Sequence, residues 1–352
     1  MGVNRPARHV SVSVPVEATS SVGEARRLAM NLAEALQFSQ SDIGRVALVV
    51  TEAATNIVQH AGRGEILLHP LAFEAPASLE VLALDKGPGM ANVAEALRDG
   101  FSTGGSSGVG LGTIARLSTC FEISSAPGKG TALFARMGPV QSKRPAERLE
   151  WGVVCVPKLD EEVCGDAWSV MAGHGRNTVL IVDGLGHGLH AFDAAQEALR
   201  AFWEHPGERP ESILNALHVA LKTTRGAVAA VSEVDWEKRE FRYAGAGNIA
   251  GTLVPTEGKP SNLVSHSGTL GQSVTRFQEF TYSWPDGGLL ILHSDGLSSR
   301  WELEPYPGLT RKNPSLIAGV LYRDFASRQD DVVILVGRER QQAASEQGGG
   351  SP

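Results

Sequence analysis

The sequence predicts an α+β protein built from two domains that are joined by a short polar linker. The chain has 352 residues, more than one hydrophobic core of ordinary size holds. In the first part, two helical patterns precede most of the apolar strands, which favours helices packed on one face of a sheet. In the last part, many short strands occur with few helices, which favours a two-sheet sandwich flanked by helices.

The first domain is predicted to span residues 1–138. Its helices follow from apolar residues spaced three and four apart, and its strands from alternation or short apolar runs. The predicted helices lie at 20–38, 42–60 and near 113–119, and the predicted strands at 9–16, 64–69, 78–84, 120–125 and 130–137.

The second domain is predicted to span residues 150–338. A polar segment with two prolines, 139–149, precedes it as a linker, and a Gln-, Ser- and Gly-rich tail over 339–352 is predicted to be disordered. The predicted strands lie at 151–156, 177–182, 227–234, 240–245, 250–254, 288–293 and 332–336, and the predicted helices at 188–203, 210–223 and 313–325.

The composition excludes several classes of protein. The formal net charge is -7, so we expect neither nucleic acid nor an anionic membrane surface as a partner. Three cysteines without a C-x-x-C motif disfavour a disulfide framework and a structural zinc site. No stretch approaches 18 apolar residues, and the first residues lack the apolar core of a signal peptide. We therefore expect a cytoplasmic protein without membrane insertion.

An acid, an amide and an imidazole stand four residues apart in the second predicted helix. Glu52, Asn56 and His60 of the segment TEAATNIVQHA therefore share one face of an otherwise apolar helix. Taken alone, this pattern favours an exposed polar stripe over a binding site.

Three glycine-containing motifs follow in the same domain. DKGPGM ends an apolar strand, where Asp85 can accept a hydrogen bond from an exocyclic amine and glycines allow close backbone approach. GGSSGVGLG, at 104–112, precedes a helix and can expose backbone N–H groups to a phosphate. GKGT, at 128–131, joins the last two strands. Each motif alone is also compatible with an ordinary turn.

In this order, the four motifs resemble the GHKL-type ATP-binding fold shared by gyrase, histidine kinases and MutL, over residues 10–137. ALRDGFSTGG and GVGLGTIARLSTCFEISSAPGKGTAL are most similar to the RsbT-type serine kinases of partner switching. The resemblance implies that Glu52 is a general base, Asn56 a ligand of ATP-bound Mg²⁺ and Asp85 the reader of adenine. The remaining implied ATP-binding residues are Gly87, Gly89, Gly108, Gly110, Gly112 and Thr131.

Four acidic motifs are spread over the second half: CGDAW, DGLGHG, HSDGLSSRW and RQDDVVILV. Asp183 and Asp295 directly follow apolar strands and precede glycine, so each can present a carboxylate and a neighbouring carbonyl to a hard cation. Ligands that are all oxygen suit Mg²⁺ or Mn²⁺, and two such ions can activate water and bind a phosphoryl oxygen. Any one Asp-Gly pair alone favours a simple turn.

As an ordered set, these motifs resemble the SpoIIE/RsbX branch of the type 2C protein phosphatases, over residues 150–338. The resemblance implies a β-sandwich flanked by helices that holds two Mn²⁺ or Mg²⁺ ions. The implied ligands are Asp166, Asp183, Asp295, Asp330 and the carbonyl of Gly184. Asp330 is preferred to Asp331 because the family's ligand is the first residue of its acidic pair.

Two departures from the family pattern concern the phosphate. No arginine precedes Asp166 in the position that binds substrate phosphate in the larger eukaryotic members, and Val333 stands where threonine is common. The phosphate-binding group therefore stays unassigned. His187 has two interpretations, a general acid or a cap of the following helix, and the cap is favoured.

Together, the resemblances imply a bifunctional partner-switching regulator that phosphorylates and dephosphorylates Ser/Thr on a STAS-domain antagonist or sensor complex. Two alternatives stay open: a phosphatase with a non-catalytic nucleotide- or partner-binding domain, and a module that sequesters a sigma factor or an antagonist. A flexible linker of about 12 residues spans roughly 20 Å. We therefore expect both sites to reach one bound partner without a fixed domain interface.

Overall fold

The computed structural model describes residues 10–71, 76–98, 110–138, 148–173, 175–272 and 277–340. Gly108, most of the predicted linker and nearly all of the predicted tail lie outside these ranges. No helix of the described part combines the length and apolar character needed to cross a bilayer.

The first domain has one five-stranded antiparallel sheet in the order β1-β2-β3-β5-β4. Its strands are β1 (Val12–Val16), β2 (Gly64–Leu71), β3 (Ser78–Asp85), β4 (Cys120–Ser125) and β5 (Thr131–Met137). Its helices are α1 (Thr19–Ala35), α2 (Gln40–Asn56), the four-residue α3 (Val93–Ala96) and α4 (Gly110–Leu117), and a π-helix, Ile57–Ala61, extends α2.

One face of this sheet is covered by the helices, as predicted. Ser39 caps α2 by accepting a hydrogen bond from the Asp42 N–H at 3.1 Å. In α1 the buried alanines recur every four residues, which gives the helix a narrow apolar stripe against its neighbours. The stripes pack on alternate residues of the central strands, among them Ile66 and Leu68.

The second domain has two five-stranded antiparallel sheets, in the orders β13-β10-β9-β8-β7 and β12-β11-β14-β15-β6. The strands are β6 (Leu149–Val156), β7 (Asp166–Gly173), β8 (Arg176–Gly184), β9 (Ala227–Asp235), β10 (Glu240–Ala246), β11 (Ala250–Val254), β12 (Ser261–Asn262), β13 (Phe280–Ser283), β14 (Leu289–His293) and β15 (Val332–Glu339). The helices are α5 (Leu189–Glu204), α6 (Pro210–Ala220) and α7 (Pro314–Phe325). Strands β7, β12 and β13 were not predicted from the sequence.

The two sheets of the second domain pack face to face, with a core of large apolar residues such as Trp168 and Leu335 between them. Helices α5 and α6 cover the outer face of the first sheet, and α7 covers the outer face of the second. The predicted sandwich flanked by helices is therefore confirmed.

Helix α7 also covers the second face of the first domain's sheet. Leu67, Leu82 and Phe134, which point away from α1 and α2, lie in one buried cluster with Leu316 and Val320 of α7. The expectation that the domains act without a fixed interface is therefore wrong. Because both faces of the first sheet are apolar, both need a covering layer, and the second domain supplies one.

Buried charged groups at this interface are satisfied across it. Glu80 is 3% exposed and accepts hydrogen bonds from Arg136 Nη2 at 2.5 Å and Ser315 Oγ at 2.8 Å. Glu122 accepts a hydrogen bond at 2.8 Å from the backbone N–H of Asn313. An unpaired buried carboxylate is costly, so these bonds favour a single docked arrangement of the domains.

Candidate nucleotide and metal sites

A cavity of about 400 Å³ lies in the first domain, between the end of α2, the π-helix, α4 and the ends of β3 and β5. Of the residues implied to bind ATP, the cavity is lined by Asn56, Asp85, Gly89, Gly110 and Thr131. His60 lines it as well, since the π-helix continues α2 along the same wall. The fold therefore brings four separate motifs to one pocket.

Asp85 ends β3 at the base of this cavity. Its Oδ1 accepts hydrogen bonds from the backbone N–H groups of Gly87 at 2.8 Å and Thr131 at 3.2 Å. Burial raises the pKa of Asp85, and the two hydrogen bonds oppose that rise. Gly89 has φ +71°, and a Cβ there would lie 2.0 Å from the Ala126 carbonyl oxygen, so this turn requires glycine. The carboxyl group is thus held by backbone and can accept from a ligand amine.

The opposite wall carries the polar face of α2. Asn56 Nδ2 is buried without a hydrogen-bond partner among the described residues, which is unusual for an amide and leaves it available to a bound ligand. A Cβ on Gly110 would lie 2.8 Å from Glu52 Oε2 and 3.5 Å from Asn56 Oδ1. The start of α4 is therefore seated directly on these two side chains. Gly112 is buried within α4 and does not line the cavity.

Strand pairing in the second domain assembles the acidic site. Asp166 begins β7 and Asp183 lies next to the end of β8, and the antiparallel register places them directly opposite one another. Asp295 follows β14 by two residues, and Asp330 precedes β15 by two. Because β14 and β15 are paired neighbours in the second sheet, both loops reach the same end of the sandwich. Gly184, which ends β8, is buried beside α5.

Burial and neighbouring carboxylates raise the pKa of three acids of this site. Burial, followed by the charges of Asp295 and Asp330, raises the pKa of Asp183 to about 8. Burial and the Asp183 charge raise the pKa of Asp166 well above its ordinary range, and burial and Asp330 raise that of Asp295. Such a cluster favours either protons or bound cations.

The donor set of this site fits a hard divalent cation, because it offers carboxylate oxygens and a backbone carbonyl. No three Asp, Glu, His or Cys side chains within the described ranges are drawn together tightly enough to enclose an ion.

Asp331 differs from Asp330 in its bonding. Its Oδ1 accepts from the backbone N–H of Lys158 at 2.8 Å and its Oδ2 from that of Gly165 at 2.9 Å, and it is buried. Asp330 is exposed. Asp331 thus fastens the segment before Asp166, while Asp330 stays accessible, and Asp330 as the metal ligand stays a prediction.

Several supporting residues were not assigned a role from the sequence. Asn248 Nδ2 donates to Asp295 Oδ2 at 2.7 Å, and Ser294 Oγ donates to Asp166 Oδ2 at 2.6 Å. Asn248 belongs to the glycine-rich segment GAGNIAG, and this motif could have pointed to it from the sequence. Ser294 is adjacent to the ligand candidate Asp295, but no sequence pattern marks Ser294 itself. Both fix the orientation of a carboxylate that could bind metal.

His187 contacts the carboxylate of a glutamate, Glu161. Its Nδ1 lies 2.6 Å from Glu161 Oε1, and the residue at the N-cap of α5 is Gly188, without a side-chain cap. The favoured interpretation of His187 as a helix cap is therefore wrong. The pair stands at the exposed edge of the acidic site, since His187 lies within the DGLGHG loop.

An ATP-type pocket on a helix-covered sheet and an acidic site between two sheets define a kinase-like ATPase domain joined to a type 2C-like phosphatase domain. Family models match both parts: the histidine kinase-like ATPase domain over residues 14–137 and stage II sporulation protein E (SpoIIE) over 173–338. The chain belongs to the RsbT serine/threonine kinase family through its first domain, and its second domain is similar to the SpoIIE family.

Individual relatives match the two parts separately. The first part is 37% identical over 111 residues to the serine/threonine-protein kinase RsbT of Bacillus subtilis, covering 32% of this chain and 84% of the relative. The second is 26% identical over 194 residues to the phosphoserine phosphatase RsbX of the same organism, covering 54% of this chain and 96% of the relative. A structure described as "The bacterial stressosome: a modular system that has been adapted to control secondary messenger signaling" is similar at 28% identity and TM-score 0.51, covering 55% of this chain and all of that one.

Proposed function

We propose that the protein is a bifunctional regulator of a partner-switching pathway, which phosphorylates and dephosphorylates Ser/Thr on a STAS-domain protein. The observation that carries the proposal is the cluster of four acidic residues at one end of the sandwich, where burial and neighbouring carboxylates raise the pKa of Asp183 and Asp295. The two parts of the chain have as relatives a serine/threonine kinase and a phosphoserine phosphatase. These activities oppose one another, which supports a shared protein target.

In the phosphatase reaction, two Mn²⁺ or Mg²⁺ ions would be held by Asp166, Asp183, Asp295, Asp330 and the Gly184 carbonyl. When bound, such ions supply an activated water and neutralise phosphoryl oxygens. Asn248 and Ser294 keep two of the carboxylates oriented through their hydrogen bonds. His187, in contact with Glu161, can hold a proton at the edge of the site and deliver it to the leaving serine oxygen.

In the kinase reaction, ATP with Mg²⁺ would occupy the cavity of the first domain. Asp85 would accept from the adenine amine, and Asn56, whose Nδ2 has no partner among the described residues, would hold the Mg²⁺ that accompanies the phosphates. Glu52 lies against Gly110 at the start of α4, where it can take the proton from the target hydroxyl.

One observation favours a second candidate, a phosphatase regulated by nucleotide. Arg323, in the last turn of α7, donates a hydrogen bond at 3.2 Å to the backbone carbonyl of Asp85. The same helix end is bonded to the loop after Asp295, since the Ser298 N–H donates to the Phe325 carbonyl at 3.0 Å. Helix α7 therefore contacts both sites, as a regulatory connection would require.

The test separates the two activities on one folded substrate. A STAS domain is offered with labelled ATP to the Asp330→Ala variant, and the phosphorylated domain is offered with Mn²⁺ to the Glu52→Ala variant. The proposal expects label transfer by the first variant and label removal by the second. If the Glu52→Ala variant removes the label and the Asp330→Ala variant transfers none, the result would favour the nucleotide-regulated phosphatase instead.

A further inference from the structure

A cleft of about 490 Å³ runs between the two domains and reaches the acidic site. One wall is strand β1 of the first domain, and the other is the segment 157–164 of the second. Asp330 lines the same cleft, next to Arg328. A cavity of this size is within the range of about 300–1,000 Å³ that is usual for ligand sites.

The β1 wall is a sheet edge. Strand β1 is the first in its sheet, and its one neighbour there is β2. The Ser11 N–H points away from β2, because it donates to the Cys155 carbonyl of β6 at 2.7 Å. Backbone groups alternate along a strand, so those of Ser13 point to the same outer side. Within the described part of the chain, the outer edge of β1 beyond Ser11 therefore offers the Ser13 N–H and carbonyl to another extended chain.

The opposite wall presents one exposed apolar side chain, Leu159, among charged neighbours such as Asp160 and Glu162. Leu159 is 58% exposed, and Phe192 of α5 is only partly buried where it lines the cleft. Leu32 of α1 and Pro70 of β2 contribute apolar surface from the first domain. An exposed leucine beside a backbone edge suits the side chains of a bound peptide better than it suits water.

The base of the cleft is fixed by a buried acid. Glu65 is 4% exposed and accepts hydrogen bonds from Ser13, Arg328 and, at 3.1 Å, the Tyr322 hydroxyl. Arg328 lies two residues before Asp330, so this network holds β1 at a set position relative to the acidic site. The cleft is therefore a formed groove whose two walls belong to different domains.

We infer that this cleft binds the extended segment next to the phosphoserine of the protein substrate, by adding it as a strand to the outer edge of β1. Strand addition takes its affinity from main-chain hydrogen bonds and its specificity from side-chain contacts. The inference rests on the proposed phosphatase function. The first domain then takes part in dephosphorylation as a substrate-binding wall, independently of any nucleotide.

The test compares two substrates on the same variants. Ser13→Pro removes the outward N–H, a change that an edge strand tolerates, and Ser13→Ala is the matched control that loses only the hydroxyl. A phosphoserine peptide of about ten residues needs the cleft, since ten extended residues span roughly 33 Å. An aryl phosphate reaches only the acidic site.

Ser13→Pro is expected to raise KM for the peptide about tenfold relative to Ser13→Ala, which corresponds to the loss of one or two hydrogen bonds. Its kcat/KM for the aryl phosphate is expected to equal that of the control. Leu159→Asp, on the other wall, is expected to have the same selective effect. Equal peptide KM in Ser13→Pro, Leu159→Asp and the control, with aryl phosphate turnover intact, would overturn the cleft assignment alone. An inactive wild type on both substrates would overturn the proposed phosphatase, and with it this inference.

Discussion

The two sites hold their acids in opposite surroundings. In the nucleotide pocket, Asp85 receives two backbone N–H hydrogen bonds. In the acidic site, Asp183 faces Asp166 across paired strands, and the charges of Asp295 and Asp330 act on it as well. The carboxyl group of Asp85 thus finds hydrogen-bond donors within the protein, whereas the acidic site of the second domain is electrostatically unfavourable until cations or protons enter. We therefore propose that aspartate serves ligand recognition in the first domain and cation binding in the second.

The largest expected effect is on the acidic site. Asp183→Asn is expected to lower Mn²⁺-dependent hydrolysis of an aryl phosphate about a thousandfold, because a poorly held metal loses several kcal/mol of transition-state stabilisation. ATP binding should be unchanged. Activity is measured at saturating Mn²⁺, with EDTA as the metal-free control. If this variant turned over the aryl phosphate at the wild-type rate, Asp183 would not belong to a cation-binding site.

Glu52→Ala is expected to lower phosphate transfer to a protein substrate at least about a hundredfold, the usual contribution of a general base. Its ATP affinity should stay close to that of the wild type, because Glu52 does not line the cavity. Calorimetry gives the affinity and labelled ATP gives the transfer. Equal loss of binding and transfer would mean that this acid holds nucleotide instead of accepting a proton.

A smaller effect is expected at the recognition acid. Asp85→Asn should reduce the preference for ATP over GTP about tenfold, since a misplaced amide removes one hydrogen bond to a charged acceptor. Asn56→Ala is the matched comparison: it should weaken the Mg²⁺-dependent part of binding and leave base selectivity unchanged. Calorimetry with both nucleotides, with and without Mg²⁺, separates the two. If both variants changed nucleotide preference and Mg²⁺ dependence in the same way, Asp85 and Asn56 would not mark separate adenine and phosphate ends of the pocket.

The smallest effect concerns stability. Without metal, Asp183→Asn should be more stable than the wild type by roughly 1 kcal/mol, or about 2–4 °C in Tm, because it relieves repulsion among the carboxylates. With Mn²⁺ the order should reverse, since only the wild type gains from binding. Thermal unfolding with EDTA and with Mn²⁺ measures both. A metal-free variant less stable than the wild type would show that the cluster is not strained.

The sequence was most informative where chemistry is local. Motifs that end a strand or begin a helix, such as those of Asp85 and Asp183, indicated sites that strand pairing then assembled. The interface between the domains does not follow from strand length and flanking turns. In β2 and β3, however, apolar residues stand at successive positions, as in Leu67 and Leu68, which is the pattern of a sheet buried on both faces. The partner of the second face, α7, lies more than 200 residues away, and no local pattern identifies it.

The position of α7 also bears on what holds the protein together. This helix contributes to the buried core on which the sheets of both domains pack, so the domains are joined by packing as well as by the chain between residues 138 and 148. A protease that cut there would break the covalent connection and leave the core intact. The two fragments should then stay associated as a non-covalent heterodimer and elute together. Proteolysis between the domains would accordingly fail to release either one, and genes for the two fragments, expressed separately, should reconstitute the whole.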